Sequence, residues 1–321
     1  MKAHCVAADP SPSGTPSRPG GGPVTIAADP VGGPAAEPGG RLVAGRYRLR
    51  SVLGRGGMGS VWLAEDELLE RPVAVKQITP GDPGSGESGR AARVQALGEA
   101  RATASVDHVG TVRVHDVVRD GGCAWIVMEA LSGRTLAAAL DADGPLPVDQ
   151  VIRVGLRLLD VLEATHRAGI VHRDVKPANV HLGAGGRVVL LDFGIARAMG
   201  SGSAVSSGLL AGSPAYISPE QFHNGEVGLE SDLFSLGATL FAAVEGRSVF
   251  DRGDLFATLT AVVVDPPGPF RLAGPLGPVI EGLLAKEPDR RWSIGRARAA
   301  LRAIRRTEPL RAGLTKIGAA T

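Results

Sequence analysis

Apolar and polar residues change their rhythm along this chain, and each change marks an element. Tyr47-Arg48-Leu49-Arg50-Ser51-Val52-Leu53 alternates with a period of two, as a half-buried strand does. Ser60-Val61-Trp62-Leu63-Ala64-Glu65 alternates again. Pro72-Val73-Ala74-Val75-Lys76 predicts a third short strand. Thr111 to Val118 and Ala124 to Met128 predict two more, with Gly121-Gly122 as their turn. Between the third strand and the fourth, about Ala91 to Ala104 reads as a helix. From Pro147 to Ala168 the period lengthens: Val151, Val154, Leu158, Val161, Leu162 and Thr165 share one helical face, and Gly169 stops it. Val180-His181-Leu182 and Val188-Val189-Leu190-Leu191 read as a hairpin. A strongly apolar helix starts at Ser231, and Ile294 to Arg305 is a last amphipathic one.

The two ends lack this patterning. Residues 1 to about 45 hold Pro10-Ser11-Pro12-Ser13-Gly14, Gly20-Gly21-Gly22-Pro23 and Gly32-Gly33-Pro34, with no apolar face to bury. A disordered Gly/Pro-rich tail is expected there, a docking or phosphorylation segment being the alternative. The patterned part spans 46–305, and 306–321 reads as a short tail.

Composition narrows the classes. The chain has 321 residues and 44% hydrophobic content, ordinary for a folded globule. A net charge of +2 gives nucleic-acid binding no support. No apolar run reaches the roughly 18 residues of a membrane span. The best candidate, Leu255 to Val264, contains threonines and runs into Pro266-Pro267. Met1 to Cys5 lacks the charged-then-apolar order of a signal peptide, and Cys5 and Cys123 make no disulfide framework. A cytoplasmic location is therefore expected.

The chemistry concentrates in Val171-His172-Arg173-Asp174-Val175-Lys176-Pro177-Ala178-Asn179 and in Leu191-Asp192-Phe193-Gly194. Asp174 can accept a proton, and Lys176 can neutralise a migrating negative charge. Asn179 and Asp192 offer the hard oxygens that Mg²⁺ takes. Phosphoryl transfer needs these parts: an aligned nucleophile, a cradled phosphate chain and cancelled charge. Gly54-Arg55-Gly56-Gly57-Met58-Gly59 lies between two strands, which argues against a dinucleotide fingerprint, whose glycines open a helix. It fits a glycine hairpin whose backbone N–H groups approach phosphate oxygens. Alone, it is also what a Gly-rich chain produces.

Together these stretches resemble the eukaryotic-type serine/threonine protein kinases of bacteria, notably actinobacterial ones, over about residues 46–305. The resemblance implies an α+β, two-lobed fold: a small antiparallel sheet plus helix (about 46–128) and a larger, mostly helical lobe (about 132–305). It implies ATP, with Mg²⁺ or alternatively Mn²⁺, and proteins as phosphoacceptors. It makes Asp174 and Lys176 catalytic and Asn179 and Asp192 metal ligands. Leu53, Gly54, Gly56, Gly57, Gly59, Val61, Ala74 and Lys76 would surround the nucleotide, Lys76 held by Glu99. Gly98 beside Glu99 costs about 1 kcal/mol of helix propensity, which suits a movable helix. Met128 would stand behind the adenine, with Glu129 and Leu131 at its edge and His181 beneath it. Gly212-Ser213-Pro214 to Glu220 resembles the anchor of an activation loop. Glu220 would pair with Arg291, and Asp232 would hold the catalytic-loop backbone. Arg173 and Arg197 facing Ser201, Ser203, Ser206 and Ser207 suggest phosphoserine capture, with Ser207 the matching position and Ser213 in place of the usual threonine. The serines could equally be flexible filler. A transient homodimer would serve trans-autophosphorylation, and no nucleic acid or membrane span is implied.

Several positions depart from the pattern. Ser218 replaces an alanine, Gly110 a turn asparagine and Thr103 an apolar residue. His181 stands where an apolar side chain is usual, where it could stack or weaken ATP binding. None removes a catalytic group. Two rival functions stay open: an inactive pseudokinase scaffold, and a phosphotransferase for small molecules.

Overall fold

Alternation decides the two faces of the N-terminal sheet. The computed structural model describes residues 40–56, 59–78, 86–193, 214–222 and 227–317. Strands β1 (Leu42–Val43), β2 (Tyr47–Gly56), β3 (Gly59–Asp66), β4 (Arg71–Ile78), β5 (Val114–Asp120) and β6 (Cys123–Glu129) form one antiparallel sheet in the order β1-β2-β3-β4-β6-β5. Val73 and Val75 point to one side and join Val43, Tyr47, Leu49, Ala64, Trp125 and Val127 in an outer cluster. Ala74, Lys76 and Ile78 point to the other, toward helix α1 (Gly86–Ser105). There Ile78 and Ile126 pack on Ala96 and Ala100. The only charged side chain on that face of β4 is thus delivered into a half-apolar cleft.

The second lobe is helical. It begins with β7 (Gly133–Thr135), which pairs with the hairpin of β8 (Val180–Gly183) and β9 (Val188–Leu190). Helices α2 (Leu136–Asp143) and α3 (Val148–Arg167) precede that hairpin. After it come α4 (Pro219–Phe222), α5 (Leu229–Glu245), α6 (Leu255–Val264), α7 (Gly277–Leu283) and α8 (Ile294–Ile317). Helix α5 is buried without interruption from Ser231 to Val244, so it lies at the centre. Gly155 of α3 lets that helix come close: a Cβ there would meet Leu301 at 3.1 Å and Leu240 at 3.3 Å.

The structure differs from the sequence expectations at defined places. Order begins before Tyr47, because β1 lies inside the expected tail and buries Val43 completely. Two residues cannot display a period, so their pairing with Tyr47 and Arg48 left no pattern. Helices α2, α6 and α7 were not expected. Thr135 and Asp254 cap α2 and α6, accepting from Ala138 N at 3.1 Å and Ala257 N at 3.0 Å. Helix α8 runs on to Ile317, beyond the expected end at Arg305. Thr111 lies outside β5 and makes an isolated bridge to Leu190.

Two departures from the kinase pattern find their reasons here. At Gly110 a Cβ would sit 2.0 Å from Val161 Cγ2, so Val161 occupies the room an asparagine would need. The Thr103 hydroxyl is buried but satisfied, donating to the Glu99 carbonyl at 2.9 Å.

Candidate active site

The cleft is built around Lys76. Register pairs Lys76 with Val61 and Ala74 with Met128, so these four share the inner face of the sheet. Lys76 is buried, and its Nζ donates to Glu99 Oε1 at 2.6 Å and Asp192 Oδ1 at 2.7 Å. Burial alone would lower the lysine's pKa, but the carboxylates of Asp192 and Glu99 outweigh it and hold the ammonium above its usual range. One residue from the sheet, one from α1 and one from the segment after β9 are thereby tied at a single point.

Asp192 reaches that point through the backbone. Leu191 N–H donates to the Asn179 carbonyl at 2.8 Å, and His172 Nε2 donates to the Leu191 carbonyl at 3.0 Å. These two bonds zip the 172–179 loop to the chain entering Asp192, which adopts φ 55°. In the loop, Asp174 Oδ2 accepts from Lys176 Nζ at 2.8 Å and from Asn179 Nδ2 at 2.8 Å. Asn179 Nδ2 also donates to the Asp174 carbonyl at 2.8 Å. With its amide nitrogen so fixed, Asn179 turns its oxygen the other way. An amide oxygen and the half-exposed Asp192 carboxylate suit a hard divalent ion whose other ligands are phosphate or water oxygens.

His172 is fully buried, and its Nδ1 accepts the Asp174 N–H at 3.3 Å. That bond requires a neutral ring with its proton on Nε2. Burial holds the imidazole below its ordinary pKa of 6.5, against the opposing pull of Asp232 and Asp174. A group kept neutral in the fold contributes stability that is complete above the unfolded pKa. That stability declines as pH falls below about 6.5 toward the depressed folded value. Thermal melts between about pH 7.5 and pH 5 should show this decline, above the range where most carboxylates titrate. His172→Phe should lose its share of that acid limb, with His115, also held low by burial, supplying the remainder; an unchanged limb in the variant would refute the assignment.

Asp232 of α5 organises the loop from below. Its carboxylate accepts His172 N–H at 2.9 Å, Arg173 N–H at 2.7 Å and His166 Nε2–H at 2.8 Å. Arg173 has φ 67°, a conformation these bonds maintain. Its Nε is buried with no partner among the described residues. Glu220 of α4 pairs with Arg291 through both carboxylate oxygens, at 2.8 and 3.1 Å. At the strand joining the lobes, Glu129 N–H donates to the Arg113 carbonyl at 2.9 Å, and Leu131 follows half-buried. His181 is buried beside it, its Nε2 3.1 Å from the Ser132 carbonyl. Leu53, Gly54 and Gly56 lie on β2 and Gly59 and Val61 on β3, at the turn above the cleft. Gly57, Arg197, Ser207 and Ser213 lie outside the described residues.

Some participants escaped sequence reasoning. His166 sits in the last turn of α3, where a lone histidine carries no pattern. Gln221 accepts from Ser218 N–H and hydroxyl at 3.0 and 2.9 Å and donates to the Arg173 carbonyl at 3.3 Å. The unusual Ser218 hydroxyl is therefore satisfied. Arg187, in the β8–β9 turn, reaches Glu129.

Comparison with known proteins agrees with this geometry. A family model described as a protein kinase domain matches residues 47–301. The serine/threonine-protein kinase PksC of Streptomyces coelicolor is 39% identical over 278 residues, covering 81% of this chain and 49% of that protein. PknA of Mycobacterium tuberculosis, named likewise, is 35% identical over 281 residues, covering 83% of this chain and 64% of that protein. PrkC of Bacillus subtilis is 35% identical over 212 residues, 66% of this chain and 32% of its own length. This chain thus spans about half to two thirds of the first two relatives. With the match running from the first long strand into the last helix, over a cleft where Lys76, Glu99 and Asp192 meet, the chain belongs to the protein kinase domain family.

Proposed function

We propose that the chain is a serine/threonine protein kinase that transfers the γ-phosphoryl group of ATP to protein hydroxyls, with Mg²⁺ the preferred ion and Mn²⁺ able to replace it. The observation that carries this reading is the meeting of Lys76, Glu99 and Asp192 next to the Asp174–Lys176–Asn179 cluster. The ion, when bound, neutralises charge on the phosphates. Asp174 orients the acceptor hydroxyl and takes its proton as the hydroxyl oxygen bonds to the γ-phosphorus. The bond from that phosphorus to the β–γ bridging oxygen breaks, and ADP leaves. Lys176 offsets charge on the transferring group, and Lys76 positions the α- and β-phosphates. Val61, Ala74, Met128 and His181 enclose the adenine, and Glu129 and Leu131 offer backbone groups to its edge. The kinase unit is taken as about 46–305, with β1 joining its sheet from the N-terminal side and α8 continuing past its end, and its location as cytoplasmic. No helix among the described residues is long and apolar enough to cross a membrane.

The test is transfer from γ-radiolabelled ATP, with Mg²⁺, with Mn²⁺ and with neither, to the protein itself and to a generic basic protein. Label on serine or threonine, dependent on the ion, is the expected result. Nucleotide binding without transfer would favour the pseudokinase; transfer only to small hydroxylated molecules would favour the other rival.

The regulatory reading is supported by Arg173, whose buried Nε has no partner among the described residues and would gain one from a phosphoserine. Ser207 is the proposed single site, phosphorylated in trans within a transient homodimer. Ser207→Ala should lower activity severalfold and abolish the loop phosphate seen by mass spectrometry. Full activity in that variant would sink the idea.

A further inference from the structure

Arg187 stands in the β8–β9 turn just before β9, behind the cleft, and its guanidinium spends all three nitrogens there. Nη1 donates to Glu129 Oε2 at 2.9 Å and Nη2 to Glu129 Oε1 at 2.8 Å. Nε donates to the Val109 carbonyl at 3.0 Å, and Nη2 also approaches the Thr111 carbonyl at 3.4 Å. The Glu129 carboxylate is itself held, because Oε1 accepts the Arg113 N–H at 2.8 Å. Both side chains are largely covered, at 32% and 23% exposure, so solvent screens this pair less than an open surface pair.

Three segments meet at this one group. Glu129 ends β6, next to Met128, where the chain leaves the sheet for the second lobe. Residues 109–113 follow α1, the helix that carries Glu99. Arg187 leads through β9 into Asp192. A backbone bond runs beside the knot, from Leu190 N–H to the Gly110 carbonyl at 2.8 Å. The planar fork of arginine can satisfy two carboxylate oxygens and a carbonyl at once; a lysine ammonium on a flexible stem cannot match that geometry.

We propose that Arg187 is a positioning residue for the nucleotide cleft: clamped to Glu129 and to the Val109 and Thr111 carbonyls, it sets the hinge strand against the segments that carry Glu99 and Asp192. The inference rests on the kinase reading above. The clamp touches neither phosphate nor acceptor, so its loss acts through the spacing of Met128, Glu99 and Asp192. Nucleotide affinity should therefore suffer, and the affinity for a protein acceptor should not.

The experiment compares wild type, Arg187→Met, Arg187→Lys, Glu129→Gln and the Met/Gln double variant. Kd for a fluorescent ATP analogue, KM for ATP and for acceptor, kcat and Tm are measured, all well below the lowest Tm. Arg187→Met is expected to raise Kd and KM for ATP about tenfold, the effect of losing a charge-assisted bond. Acceptor KM should stay unchanged, Lys should not rescue, and the double variant should be no worse than Arg187→Met. If Tm falls while Kd and KM for ATP stay within about twofold, the clamp is merely structural and the proposal is overturned. Wild type that binds no nucleotide would overturn both the kinase reading and the clamp. Wild type that binds but does not transfer would remove only the transfer reading, and the Kd comparison would still decide the clamp.

Discussion

Asp174→Asn is expected to slow phosphoryl transfer by about 10²–10⁴-fold, the range a positioned proton acceptor contributes. Nucleotide affinity and Tm should hardly move. The reason lies in what the carboxylate does in the resting fold. Its Oδ2 is the common acceptor for Lys176 Nζ and Asn179 Nδ2, both at 2.8 Å. An asparagine has the same shape and can still present one oxygen to both donors, so the loop keeps its form. The proton affinity and the negative charge disappear. Single-turnover transfer from labelled ATP would measure the chemical step, and titration with an ATP analogue would measure binding. A rate within about tenfold of wild type would show that Asp174 is no proton acceptor. A matching loss of nucleotide affinity would mean that the substitution had collapsed the loop.

The cleft was legible in the sequence because its parts sit in short contiguous runs. Asp174, Lys176 and Asn179 are close neighbours, and the period-two strands around Gly54–Gly59 and Lys76 announce their own faces. What stayed hidden depends on distant residues meeting. His166 finds Asp232 across 66 positions, and Arg187 finds Glu129 across 58. No local period encodes such a pair; it exists only once α3 packs on α5, or the β8–β9 turn folds behind the hinge. The missed helices had a different cause. Leu136–Asp143 and Gly277–Leu283 are too short to display a full apolar face, and Leu255–Val264 is apolar on most sides. For Leu136–Asp143 and Leu255–Val264 the caps were the readable signal, since Thr135 and Asp254 each stand three residues before the amide they accept. The Glu99 partnership was expected from resemblance; in the fold, Lys76 faces Glu99 because both lie on the inner side of the sheet.

Arg291→Ala should cost about 3–5 kcal/mol of stability, the penalty for breaking a buried pair and leaving its charge unmatched. At roughly 2–4 °C per kcal/mol for a unit of this size, Tm should fall by about 10 °C. The Arg291 side chain is fully covered and does more than face Glu220. It donates to the carbonyls of Glu230 at 2.7 Å, Ala285 at 3.0 Å and Lys286 at 3.1 Å. Its guanidinium also lies 5.1 Å from the Phe234 ring centroid. Burial works to raise the Glu220 pKa, but hydrogen bonds from Arg291 and Ser231 prevail and hold it below the usual carboxylate range. In the wild type that preference stabilises the fold above the unfolded pKa of about 4.5, and it is lost as pH falls through the lower folded value. Removing Arg291 reverses the sign. Glu220 then sits buried without its cation, its pKa rises, and the variant should recover part of its deficit on mild acidification while wild type does not. Adding Glu220→Gln should restore part of the loss at neutral pH by the same logic. Restoration must be incomplete, because three carbonyl groups remain without their donor. Melts at about pH 7.5 and pH 5.5 on wild type and both variants would decide it. A pH-independent deficit that Glu220→Gln leaves untouched would place the stabilisation in the carbonyl bonds and the Phe234 contact, and remove the ion pair from the account.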